Sequence, residues 1–198
     1  MIPGGRDVRA TLDEPAAGSS AIVVACPPHP QMGGSRTDAR LRAVSDALTE
    51  RGLACLRIDY GPWDRGEGER TDARRALAWA HENYDSVGLF GYSFGGAIAL
   101  VAAAAAIRDG ENPPKAVAVL APAGHLEAGG DPVAALSDID CPVQVTYGER
   151  DDTADSLPVA DRARETGGQV ESIPADHFFV GQHDQIGDRI GDFFAESL

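Results

Sequence analysis

Short, almost uninterrupted apolar runs alternate with longer segments of helical periodicity along this chain, and that alternation narrows its possible folds. The runs AIVVAC (21–26), LACLRIDY (53–60), SVGLFGYS (86–93), KAVAVLAPA (115–123) and PVQVTYGERDD (142–152) read as strands. A strand with one wet face alternates apolar and polar residues, whereas a continuous run belongs to a strand covered on both sides. Between them, RTDARLRAVSDALTERG places Leu41, Val44, Ala47 and Leu48 at helical spacing and stops at Gly52. RTDARRALAWAHENY is helical in pattern, and FGGAIALVAAAAAIRDG is a helix with an apolar interior and a stop at Gly110. The chain ends with a helix over SLPVADRARETGG, a strand and loop over QVESIPADHFF, and a closing helix over GQHDQIGDRIGDFFAESL. The pattern predicts an α/β fold, a mostly parallel central sheet with helices on both faces. A single domain over 1–198 is expected, with an irregular N-terminal segment over 1–19 and no internal repeat.

Folds of this kind bind ligands outside the carboxyl ends of their strands. Chemistry is therefore expected around 27–34, 60–69, 91–95, 121–126, 148–155 and 175–179. Gly91-Tyr92-Ser93-Phe94-Gly95 falls there and matches G-x-S-x-G, with an apolar strand before it and a long helix after it. This is the setting of a nucleophile elbow, a turn so sharp that its serine backbone is strained and its flanking glycines must admit a crossing chain. The N-terminus of the following helix faces any oxyanion that forms there.

A serine hydroxyl attacks at neutral pH only when a base removes its proton. Five histidines are available. His81 lies in an amphipathic helix and reads as a surface residue, and His183 belongs to the last helix. His125 follows a strand end without an evident task. His177, in PADHFF, follows the last strand and is the expected base. The orienting acid should end an intermediate strand, and VTYGERDD supplies Asp151 and Asp152; Asp151, three residues after Gly148, is preferred. Asp176, adjacent to His177, is expected to face solvent.

The order Ser93, Asp151, His177 is the order of the α/β-hydrolases, and the chain resembles that superfamily from about residue 20 to 195. PPHPQMGGS is similar to the HPHPxxGG stretch of a small, capless branch related to dienelactone hydrolases, and RIDYGPWDRGEGE and ADHFF resemble the same branch. Pro27 stands where that branch has its first histidine, while His29 and Pro30 are kept. The resemblance implies a minimal fold without a cap domain, the segment between Pro122 and Cys141 being only a polar loop. It implies an oxyanion hole from the Phe94 N–H and a second N–H in the HPQMGG loop. Pro30 has none, leaving Gln31 or Met32. His29, Trp63, Tyr92, His125 and Phe178 are candidates to line the substrate pocket.

These residues point to a serine hydrolase of small ester, thioester or similar acyl bonds, needing no cofactor and no metal. Another enzyme on the same scaffold (a perhydrolase, lyase or acyltransferase) and a non-catalytic binding module are the alternatives. Dienelactone hydrolases proper use cysteine, yet Cys26, Cys55 and Cys141 occupy no elbow, and two of them sit inside apolar runs as buried free thiols. The formal net charge of −14, with 31 acidic and 17 basic residues, disfavours nucleic acid and anionic membranes as partners. Lys115 is the single lysine, a bias that suits a high-salt proteome or simply an acidic protein. Without an apolar leader or a membrane-length run, the expectation is a cytoplasmic protein, monomer or homodimer, acting on a small-molecule acyl substrate.

Overall fold

The computed structural model describes residues 2 and 6–198. Seven strands form one sheet: β1 (Arg9–Asp13), β2 (Ala21–Cys26), β3 (Ala54–Asp59), β4 (Ser86–Tyr92), β5 (Ala116–Leu120), β6 (Val143–Gly148) and β7 (Gln169–Ile173). They lie in the order β1-β3-β2-β4-β5-β6-β7, all parallel except β1, which runs antiparallel to β3. Among the described residues five α-helices lie between strands, α1 (Ala39–Glu50), α2 (Glu67–Asn83), α3 (Phe94–Arg108), α4 (Pro132–Ala135) and α5 (Leu157–Glu165), and α6 (His183–Ser197) follows the last strand.

The strands' unbroken apolarity is explained by two cores, one on each face. Ile22, Val24 and Cys26 of β2 pack on one side with α2, α3 and α5; Ala21, Val23 and Ala25 face the other with α1 and α6. β4 is buried from end to end. At Gly88 a Cβ would lie 2.7 Å from the Phe194 ring of α6, so that glycine lets the helix close onto the sheet.

Three expectations are corrected. The segment 1–19 is not irregular throughout: β1 pairs Arg9 with Asp59 and Asp13 with Cys55 (residues 1 and 3–5 lie outside the described residues). Its residues are exposed or half-buried, as suits an edge strand, so no apolar run announces it. Asp13 anchors it, accepting from Arg57 Nε and Ser45 Oγ, both at 2.7 Å. Burial alone would raise that carboxyl, but the Arg57 and Ser45 bonds outweigh it and hold it below its ordinary value. The segment between Pro122 and Cys141 contains one helical turn, α4, capped by Asp131 Oδ1 accepting from the N–H groups of Val133 and Ala134. His81 is half-buried rather than on the surface, its Nε2 enclosed without a partner.

The chain leaves β2 toward β3 in one direction, while β4 adds on the other side, so a topological switch point lies between β2 and β4. Cys26 pairs with Gly91 across that boundary, which brings the loop after β2 beside the turn after β4.

Candidate active site

Strand β4 ends at Tyr92, and Ser93 occupies the turn into α3 with φ +57° and ψ −121°. A side-chain-bearing residue adopts that region only at a cost of about 1–3 kcal/mol. Its N–H donates to Leu120 O at 2.8 Å, and its carbonyl accepts from Gly96 and Ala123, so the surrounding chain enforces the turn. The neighbouring glycines are required sterically. A Cβ at Gly91 would lie 2.1 Å from Gly95 O, and one at Gly95 would lie 2.3 Å from Cys26 O. Ala121, after β5, and Phe179, after His177, also take positive φ, so backbone strain concentrates at this end of the sheet.

His177 reaches Ser93 from the loop beyond β7. Its Nε2 lies 3.0 Å from Ser93 Oγ and its Nδ1 2.7 Å from Asp151 Oδ2. The side chains of His177 and Asp151 are only 6% and 2% exposed, which protects this linkage from solvent. The other Asp151 oxygen accepts from the N–H groups of Thr153 and Ala154, at 2.9 and 3.0 Å. The Asp151 turn and the His177 loop are joined by Arg150 N–H donating to Ala175 O. Asp176 is exposed, as expected, but it has work in the loop. Its Oδ1 accepts from Phe178 and Phe179 N–H and so bends the chain directly after His177. Asp152 is exposed and takes no part.

Pro30–Met32 forms a single 3-10 turn. This corrects one oxyanion candidate, because Met32 N–H donates to His29 O at 3.0 Å and is already committed. Among the described residues the Phe94 and Gln31 N–H groups have no such acceptor, but Gln31 lines neither cavity beside Ser93. Gly34 is needed for the loop's closure, since a Cβ there would meet Pro28 O at 2.1 Å.

Two cavities meet at Ser93. The first, about 200 Å³, is bordered by His29, Trp63, Phe94, His125 and Leu126. The His29 ring lies 4.5 Å from that of Trp63 and 4.9 Å from that of Phe94. The second, about 140 Å³, is bordered by Asp38, Arg40, Tyr92, His177 and Phe178. Of the residues expected at the pocket, Trp63 and His125 line the first cavity, Tyr92 and Phe178 the second, and His29 both; Asp38 and Arg40 escaped notice because they read only as the start of α1. A larger cavity of about 580 Å³ lies away from Ser93, around Arg74, Arg75 and His81. There the Arg74 guanidinium is paired with Asp109 and Glu111, and no base-activated nucleophile is present.

Tyr92 braces the site. Its hydroxyl donates to His177 O at 2.9 Å, Arg40 stacks over its ring, and burial pushes the phenol above its ordinary value. Burial likewise raises the Cys26 and Cys55 thiols to about 12 and the Cys141 thiol to about 11, which keeps all three protonated. Among the described residues no group of histidine, cysteine and carboxylate side chains is arranged to hold a metal, and no helix is long and apolar enough to cross a membrane.

No protein-family model matches the chain, and no curated protein sequence does. Solved structures do. An alpha-beta serine hydrolase homologue from Coxiella burnetii is 24% identical with a TM-score of 0.78, over 94% of this chain and 91% of that one. A serine hydrolase without a lid from Xanthomonas campestris is 23% identical, also at 0.78, over 96% and 89%. A dienelactone hydrolase from Anabaena variabilis is 22% identical at 0.69, over 99% and 93%. With this strand order, these crossovers and no cap between Pro122 and Cys141, the chain has the α/β-hydrolase fold in its lidless form.

Proposed function

We propose that the protein is a serine hydrolase that cleaves small ester or thioester bonds through an acyl-enzyme. The observation that carries this reading is the linkage Ser93 Oγ, His177 Nε2, His177 Nδ1, Asp151 Oδ2, at 3.0 and 2.7 Å. With the Nδ1 proton directed at Asp151, Nε2 is left as an acceptor for the serine proton. Ser93 Oγ attacks the acyl carbon as its proton passes to His177, and the Asp151 carboxylate stabilises the imidazolium. Negative charge collects on the carbonyl oxygen, where the Phe94 N–H and the positive end of α3 oppose it. His177 then returns the proton to the leaving oxygen or sulfur, the carbon–heteroatom bond breaks, and the acyl group remains on Ser93. Water, deprotonated by His177, releases the acid.

The test is labelling by a fluorophosphonate probe, alongside hydrolysis of p-nitrophenyl esters of graded chain length. Wild type should be labelled once and should favour short acyl chains, while Ser93→Ala should lose both reactions. An unlabelled wild type, or equal labelling of Ser93→Ala, sinks the reading.

A further inference from the structure

Resting on that hydrolase reading, we infer that the leaving-group side of the site is built for a polyhydroxylated alcohol, gripped by Asp38 and Arg40. The two cavities at Ser93 are chemically unlike, and the mechanism assigns them. The leaving oxygen must come within hydrogen-bond reach of His177 Nε2, so the leaving group occupies the cavity that His177 borders. The acyl chain then lies in the other, where Trp63, Phe94, Leu126 and Met32 supply an apolar wall beside His29, and His125, Glu127 and Thr153 supply the polar groups.

The leaving-group cavity holds an ion pair instead. Asp38 caps α1, its Oδ1 accepting from Arg40 N–H at 2.9 Å, while its Oδ2 accepts from Arg40 Nη2 at 2.6 Å. The Arg40 guanidinium carbon lies over the Tyr92 ring, 4.6 Å from its centroid. Among the described residues its Nη1 has no hydrogen-bond partner, and each Asp38 oxygen retains a lone pair. The pair is neutral as a unit, and Asp151 lies behind His177, so nothing here favours an anionic leaving group. A fixed donor beside a fixed acceptor suits a hydroxyl group, which accepts from one and donates to the other. Neighbouring hydroxyls on one carbon chain can use both at once. Phe178, half-exposed at the mouth, offers a ring for the C–H face of such a molecule. The cavity has room for several water molecules, which the hydroxyls of a glycerol-sized group would replace.

The experiment compares glycerol 1-monobutyrate with propyl butyrate, which share an acyl chain and differ by two hydroxyls. Wild type should show a kcat/KM ratio of about tenfold or more in favour of the glyceryl ester, as hydrogen bonds to charged groups warrant. Arg40→Met keeps the stem over Tyr92 and removes the donor; Asp38→Asn keeps the helix cap and weakens the acceptor. Each should bring the ratio down several-fold, and the ratio cancels any general loss of active enzyme. Equal kcat/KM for both esters in wild type overturns the inference and leaves the hydrolase reading standing. A high ratio that survives both substitutions overturns the assignment to Asp38 and Arg40. Hydrolysis of neither ester, by protein of native circular dichroism, removes the hydrolase reading and this inference with it.

Discussion

Tyr92 and His177 are joined twice: the tyrosine hydroxyl donates to the histidine carbonyl at 2.9 Å, and their rings lie 5.3 Å apart. The residue just before Ser93 thus fixes the loop that carries His177, 85 positions later. Tyr92→Phe keeps the ring and strands a buried carbonyl, at a cost of about 1–3 kcal/mol. Urea denaturation should show that loss. Esterase kcat should fall several-fold while KM changes little, because the imidazole is less well aimed rather than absent.

Asp151→Asn should lower kcat by about 10³–10⁴, since an amide at that position favours the wrong imidazole tautomer. Asp152→Asn, at an exposed position, should stay within about twofold of wild type, as surface changes usually do. Steady-state kinetics on one p-nitrophenyl ester separates the two, and a reversed result would reassign the acid.

Gly95→Ala is informative because propensity and sterics disagree. In a helix the exchange ordinarily gains about 1 kcal/mol. Here the new methyl would enter the Cys26 and Pro27 carbonyls at 2.3 and 2.4 Å, and backbone cannot step aside. The clash should win by about 3 kcal/mol, lowering Tm by roughly 6–12 °C in a chain of this size. Differential scanning calorimetry measures it.

Much of this architecture is legible in the residues. The unbroken apolarity of AIVVAC and VGLFGY requires cover on both faces, and the strand-to-helix change at Ser93 marks the elbow. The Asp151 and His177 positions follow because strand ends share one edge of a parallel sheet. What is not legible depends on partners distant in sequence. RATLD carries no apolar run because an edge strand has little to bury, so β1 emerges only from its pairing with β3. The Met32 amide is lost to an internal turn that composition does not reveal. Asp38 and Arg40 look like any capped helix start until α1 is seen beside His177.

His81 makes stability depend on pH. Burial lowers its folded-state pKa below the ordinary 6.5, opposed in part by nearby backbone carbonyls of Asn112 and Pro113. Below pH 6.5 the unfolded chain therefore binds this proton more readily, and its contribution is fully present above that value and lost as pH falls through the folded pKa. Chemical denaturation between pH 7 and 5 should show stability falling, and His81→Gln should flatten that part of the curve.

Salt should stabilise the protein. A net charge of −14 opposes compaction, and raising KCl from 0.1 to 1 M shortens the screening length from about 10 to 3 Å. Exposed pairs such as Arg164–Asp161 weaken too, but solvent already screens them and they contribute little. Thermal melts across KCl concentrations should show a rising Tm; a flat or falling series contradicts a surface adapted to salt.

Ser93, Asp151 and His177 are not held by equally protected strands. Ser93 follows a strand enclosed on both sides, whereas Asp151 and His177 follow β6 and β7, the outermost pair, and β7 is largely open to water. Opening of β7 would move His177 away from a serine still held in its strained turn, and would uncover Ile173, Ala175 and Phe179 of the core beneath α1 and α6 as it did so.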